Sequence, residues 1–165
     1  MVRAKKRQVR LPVFLMIASY LPAFNPDKKP EKNDLRLFPI KEISQEQQQP
    51  FIDLADKMLL LNSELQSNRK RFISRLSDNF TGIKITGTLE QFYELEFKQF
   101  IAELKKQKII LSLKQQDEWE EYFNENKNIC CTVINHINAT DRAIDQMVYE
   151  LYGLTEEEIR IVENG

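Results

Sequence analysis

Arg69, Lys70, Arg71 and Arg75 form one basic cluster, and Lys105, Lys106 and Lys108 form a second, with no acid inside either. Lys and Arg gathered on a helix can neutralise the phosphate charges of a nucleic-acid backbone, a contact that carries no base information. The same pattern also suits a solvated helix surface, or cations placed favourably at helix C-termini. The sequence leaves both readings open.

Other chemistries find little footing. The chain has four glycines, Gly82, Gly87, Gly153 and Gly165, so a G-x-G-x-x-G nucleotide loop cannot be built. Gly82 and Gly87 have the spacing that opens a P-loop, but Thr88 and Leu89 follow where a phosphate-binding Lys and a magnesium-binding hydroxyl are needed. Cys130 and Cys131 are adjacent, which gives neither a disulfide framework nor a Cys-x-x-Cys clamp. They point instead to a reducing, cytoplasmic setting. His136 is the single histidine; it has no nucleophile elbow to serve and reads as an ordinary helix residue. No catalytic, cofactor-binding or metal-ligating residue is therefore expected in this chain.

The elements that would carry the basic clusters are helical. Formal net charge over the 165 residues is −1, yet five of the 24 basic residues and none of the 25 acidic ones fall in the first ten positions. Whole-chain steering toward nucleic acid is not forecast, and any such contact must be local. Residues 1–35 read as an irregular segment, basic and then apolar from Leu11 to Phe24, with Pro12 and Pro22 inside the apolar run. Fourteen residues are too few for a membrane-spanning helix, which needs about 20, so no membrane partner is expected. A signal peptide has a similar layout, under which the Asn79 and Asn138 sequons would matter. A short hydrophobic strand and loop is the preferred expectation.

From residue 36 onward four hydroxyl-led boxes, Ser44/Gln47, Thr88/Gln91, Ser112/Gln115 and Thr155/Glu158, mark helix starts. Pro50 either kinks the first helix or begins it. Phe51, Met58, Leu65 and Phe72 recur every seven residues with Leu54 and Leu61 as companions, a coiled-coil seam whose companion series fails at Asn68 and Arg75, on a helix that should run to about Leu76 or Phe80. A second, shorter amphipathic helix is expected over 88–106. The third runs over 112–151, where Phe123, Cys130, Ile137, Ile144 and Leu151 form an unbroken series with Trp119, Val133 and Met147 between them. Asn126 and Thr140 interrupt that companion series. Gly153 should stop it, and Thr155 should start a last short helix. The fold class is thus all-α: a long antiparallel two-helix coiled coil with a shorter packed helix and a short C-terminal helix. Such a pair is expected to be monomeric, or a weak homodimer through whatever surface of the shorter helix stays uncovered.

Four stretches carry a family resemblance: LFPIKEISQEQQQPFIDLADKMLLL at 37–61, FYELEF at 92–97, LSLKQQDEWEEY at 111–122 and IDQMVYELYGLTEEEI at 144–159. Together they resemble the C-terminal helical part of the TaqI-like specificity region of adenine-specific DNA methyltransferases and type IIG restriction-modification enzymes, over about residues 36–165. Similar helical arms separate the recognition domains of type I specificity subunits. The resemblance implies a DNA-specificity or spacer arm that positions recognition and catalytic domains on DNA, with those domains in cis or in trans. In the complete family enzyme the cofactor is S-adenosylmethionine, and an N-P-P-Y-type motif holds the flipped adenine. Here Asn25-Pro26-Asp27-Lys28 lacks the second proline and the aromatic, and no glycine-rich loop precedes it. The arm is accordingly expected to be non-catalytic, with DNA contact falling to the two basic clusters. The competing expectation is a free-standing coiled-coil module for protein–protein interaction.

Overall fold

The computed structural model describes residues 41–164. The expected basic and apolar N-terminal segment, its strand and the Asn25 to Lys28 stretch lie outside the described residues. Within the described residues five helices occur in order, which we label α1 (Gln45–Asn79), α2 (Gly87–Glu90), α3 (Phe97–Lys106), α4 (Leu113–Tyr152) and α5 (Glu156–Asn164), with a 3-10 turn at Phe92–Glu94. No strand occurs among the described residues. The described residues divide into two compact units, 52–142 and 41–51 with 143–164, and α1 and α4 each contribute residues to both.

Helix starts follow local hydrogen-bond chemistry. The Gln47 amide donates to Ser44 Oγ (3.3 Å) while the Ser44 amide donates to Gln47 Oε1 (3.1 Å), so two amides without intrahelical partners are satisfied reciprocally. α1 therefore begins at Gln45 and carries Pro50 inside it. The Ser112/Gln115 and Thr155/Glu158 boxes close in the same way ahead of α4 and α5. At the other end of α4, Gly153 takes φ +67 and donates to the Glu150 carbonyl, while Leu154 donates to that of Tyr149. That is a Schellman stop, and it needs the left-handed conformation glycine adopts freely.

In the unit of residues 52–142 the two long helices pair antiparallel. Phe80 meets Trp119 at 5.2 Å between ring centroids, and Phe72 meets Tyr122 at 5.7 Å and Phe123 at 6.2 Å. Moving back along α1 thus moves forward along α4. On α1, Leu61 and Phe72 are buried with Met58 and Leu65 half-buried; on α4, Phe123, Cys130 and Val133 are buried with Ile137 half-buried. The heptad seam is the packed face. Asn126 and Thr140, which interrupt the pattern by type, do not interrupt it by position: both are buried. Asn126 Nδ2 donates to the Tyr122 carbonyl (2.8 Å) and Thr140 Oγ1 to that of His136 (2.9 Å). Each polar group is satisfied one turn back on its own helix, which removes most of the cost of burying it.

The middle helix is shorter than its pattern suggests. Thr86, and not Thr88, caps the first turn by accepting from the Leu89 amide (3.3 Å), and Leu95 is extended at φ −91, ψ 153. A second start then follows at Glu96, whose side chain caps the Gln99 amide while Gln99 Oε1 accepts from the Glu96 amide (2.8 Å). The breaks turn Leu89, Phe92, Phe100 and Leu104 inward together, all of them fully buried. This segment is a third layer over Phe72, Leu76 and Phe123. Two polar ties hold it. Gln107 donates to the Lys84 carbonyl (3.0 Å) and accepts from the Lys84 amide (2.7 Å), and Lys127 Nζ donates to the Leu95 carbonyl (2.8 Å) and to Glu96 Oε1 (2.9 Å).

In the other unit, α5 buries Val162, and Tyr149 of α4 is buried as well. Lys41 Nζ donates to the Leu151 carbonyl (2.6 Å), satisfying one of the carbonyls left without a helical partner in the last turn of α4.

Candidate functional site

The first basic cluster does not act as a unit. Arg69 is half-buried: its Nε donates to the Glu90 carbonyl (3.0 Å), its Nη2 lies 4.0 Å from Glu90 Oε2, and its guanidinium sits 5.9 Å from the Tyr93 ring centroid. The planar fork ties α1 to the end of α2 while its face covers an aromatic ring. Lys70, Arg71 and Arg75 are exposed. Arg71 and Arg75, four residues apart, share one strip of α1. Lys70 lines an open groove of about 450 Å³ with Gln66, Ser74 and Glu90.

The second cluster closes α3. Lys105 and Lys106 occupy its last turn, where positive charge suits the helix dipole, and Lys106 pairs with Glu103. Lys108 holds φ +63, its amide donating to the Lys105 carbonyl (2.9 Å) and that of Ile109 to Leu104 (3.1 Å). It therefore fills the left-handed stop position that glycine fills at 153. The two clusters lie on different helices, and five exposed cations remain of the seven once Arg69 and Lys106 are assigned their intramolecular partners: Lys70, Arg71, Arg75, Lys105 and Lys108.

The two cysteines and the histidine lie along α4. Cys130 is fully buried in the seam, and burial first, then the neighbouring Cys131 thiol, pushes its pKa up from 9.0 to about 11. A thiol so disfavoured as thiolate is a poor nucleophile at neutral pH. Cys131 is half-buried with Sγ 3.8 Å from the Tyr93 carbonyl, and His136 is exposed. Among the described residues no group of three or more His, Cys, Asp or Glu side chains could hold a metal ion.

A second groove, of about 590 Å³, opens between α3 and the start of α4, with Phe97, Ile101 and Leu113 among its lining residues. The sequence pattern does not reveal it. Leu113 is 81% exposed and Ile110 beside it 80%. These two apolar side chains flank the Ser112 cap with most of their surface in solvent.

What these elements define is an all-α module built on an antiparallel coiled-coil pair with a third helical layer. The chain belongs to the family described as a domain of unknown function, DUF8810, whose model matches residues 44–148. No curated protein and no solved structure matches it.

Proposed function

We propose that this chain is a non-catalytic helical spacer arm that positions DNA-recognition and DNA adenine-methylating domains, supplied in cis or in trans, on a duplex. The observation supporting it is the 40-residue α4, about 60 Å of continuous helix at 1.5 Å per residue, paired antiparallel with α1. Such a pair sets a spacing between whatever docks on it. Lys70, Arg71 and Arg75 on α1 and Lys105 and Lys108 at the end of α3 supply the phosphate contacts in this reading. S-adenosylmethionine chemistry, and any restriction that accompanies methylation, belongs to the other domains. No helix among the described residues is long and apolar enough to cross a membrane, and the setting we propose is the cytoplasm.

The test reverses Lys70, Arg71 and Arg75 to Glu, leaving Arg69 in place because it holds α2. Duplex affinity is expected to fall about equally for all sequences, and the slope of log K against log salt to flatten by up to about 0.9 for each phosphate no longer neutralised. Unchanged affinity and slope would return those residues to the solvated surface. A loss confined to one sequence would make the arm a base reader.

A second reading, a free-standing protein–protein interaction module, is favoured by the exposed Leu113 and Ile110. Nuclease-treated protein that still assembles with a protein partner while showing no salt-dependent duplex binding would favour it over the first.

A further inference from the structure

The groove between α3 and α4 has walls of opposite sign. Lys98 and Lys105, seven residues apart on α3, line one side, where the Glu96 carboxylate that also borders the groove is neutralised by Lys127 (2.9 Å); Asp117 and Glu120 on α4 line the other. Lys98, Lys105, Asp117 and Glu120 are exposed, and among the described residues none forms an ion pair with another of the four or with any other side chain. Nearby charges do pair, as Lys106 does with Glu103 and Lys127 with Glu96, so the local sequence does not prevent pairing. The groove keeps its walls apart. Phe97, half-buried, and Ile101, buried, supply the apolar lining from α3, and Leu113, on the strip of α4 that carries Asp117 and Glu120, packs little of its surface against its own chain.

An apolar stripe flanked by cations on one edge and anions on the other is the surface one helix of a coiled coil offers to the next. We propose that this groove is the docking site for an amphipathic helix of a partner protein, carrying apolar residues at helical spacing, Lys or Arg along one flank and Asp or Glu along the other. The basic flank lies against Asp117 and Glu120 and the acidic flank against Lys98 and Lys105, which fixes the direction in which the helix runs. A strongly basic helix would meet Lys98 and Lys105, and a strongly acidic one Asp117 and Glu120; each is opposed by one wall. The proposal does not rest on duplex binding; a helix seated in the groove takes Lys105 for its acidic flank and leaves the phosphate contacts to Lys70, Arg71, Arg75 and Lys108.

The experiment uses the full chain and three synthetic helical peptides with the same leucine stripe, one with lysine and glutamate on opposite flanks, one with lysine on both and one with glutamate on both. Calorimetric titration is expected to show the mixed peptide binding at least 10-fold more tightly than either single-sign peptide. In Asp117→Lys/Glu120→Lys the preference should switch to the all-glutamate peptide. Leu113→Asp should abolish binding of all three, with Ala102→Trp, on the exposed strip of α3 between Lys98 and Lys105, as a second, steric blocking variant, and circular dichroism confirming that helix content is kept. A preference that does not switch, or binding indifferent to both blocking variants, overturns the proposal. So does concentration-dependent dimerisation in sedimentation that Leu113→Asp removes and the mixed peptide cannot compete away, which would make a second copy the occupant.

Discussion

Two stretches of the same helix pair, both within residues 52–142, are packed very differently. Around Phe72 and Phe123 the third layer closes the seam: Phe72, Phe92, Phe100 and Phe123 are wholly buried, with Phe72 stacked on Phe92 at 3.7 Å. Further along, Leu61 and Val133 are buried but the seam residues Met58, Leu65 and Ile137 stay half-exposed. Two helices shield only the line along which they touch. A heptad pattern therefore says which residues meet, while a third layer decides how deeply they are buried and how much each contributes. The aromatic end should behave as the stable nucleus of this unit and the two-helix stretch as the part that opens first.

The largest effect that tests this contrast comes from truncating one side chain at each place. Phe72→Ala removes a ring that packs against Phe92, Phe100, Trp119, Tyr122 and Phe123 and should cost about 3–5 kcal/mol, whereas Leu61→Ala, with solvent close by, should cost about 2 kcal/mol. Urea unfolding of both variants measures it. Equal losses would mean that the third layer adds nothing, and the contrast would fail.

The same contrast explains what could be read from the sequence. The two long helices, their seam and three of the four cap boxes follow from spacing alone, because a seven-residue repeat and a hydroxyl three residues before an amide or acid are local signals. The seam remains legible as far as Phe72 and then shifts to Leu76, which is buried, in place of Arg75, which is exposed. There α1 meets the third layer, and an undistorted helix of 3.6 residues per turn replaces the 3.5-residue repeat. The breaks in the middle helix were harder to see. Thr86 and Thr88 compete for one cap, and Glu96 with Gln99 forms a box led by a carboxylate instead of a hydroxyl. Site residues were least legible: Arg69 looks like any member of a basic run until Glu90 and Tyr93, 21 and 24 positions away, take it out of solvent. The groove needs α3 and α4 side by side before its two charged walls exist.

Arg69 marks the border between the two stretches, and its substitution sharpens that border. Arg69→Ala loses a charge-assisted hydrogen bond and the cover over Tyr93, which at a half-exposed site should cost about 1–2 kcal/mol. Arg69→Lys keeps the charge but not the planar fork, and should lose nearly as much. Full stability in the lysine variant would show that charge alone matters there. In that case Arg69 would rejoin Lys70, Arg71 and Arg75 as an ordinary surface cation.

Cys130 reports on the sealed end through pH. Its pKa is raised from 9.0 to about 11 in the folded chain, so the native state holds the proton that the unfolded state releases. The stability it contributes is fully present below about pH 9 and is lost as pH rises to about 11; with water excluded around the thiol the difference should be about 1–2 kcal/mol. Denaturation of wild type and Cys130→Ala at pH 8 and pH 10.5 isolates this from other titrating groups. The wild type should lose more stability than the variant over that interval. Equal losses would mean that water reaches the thiol, and that the aromatic end is less closed than its packing indicates.

The smallest expected effect falls in the two-helix stretch. Thr140 lies in the seam with its hydroxyl turned back to the His136 carbonyl, an acceptor that the helix itself already uses. Threonine in this geometry slightly destabilises a helix, and the bond fixes the hydroxyl without linking α1 to α4. Thr140→Val keeps the β-branched shape, removes one buried polar atom whose loss leaves no donor unsatisfied, and offers a methyl group to the facing helix. A gain of about 0.5 kcal/mol is expected, in keeping with the small net worth of a single hydrogen bond against modest apolar burial. Paired urea curves, with sedimentation to check that the assembly state is unchanged, are sensitive enough to read it. A loss of comparable size would show that the polar layer stabilises the pairing, and that the two-helix stretch depends on hydrogen bonding where the aromatic end depends on packing.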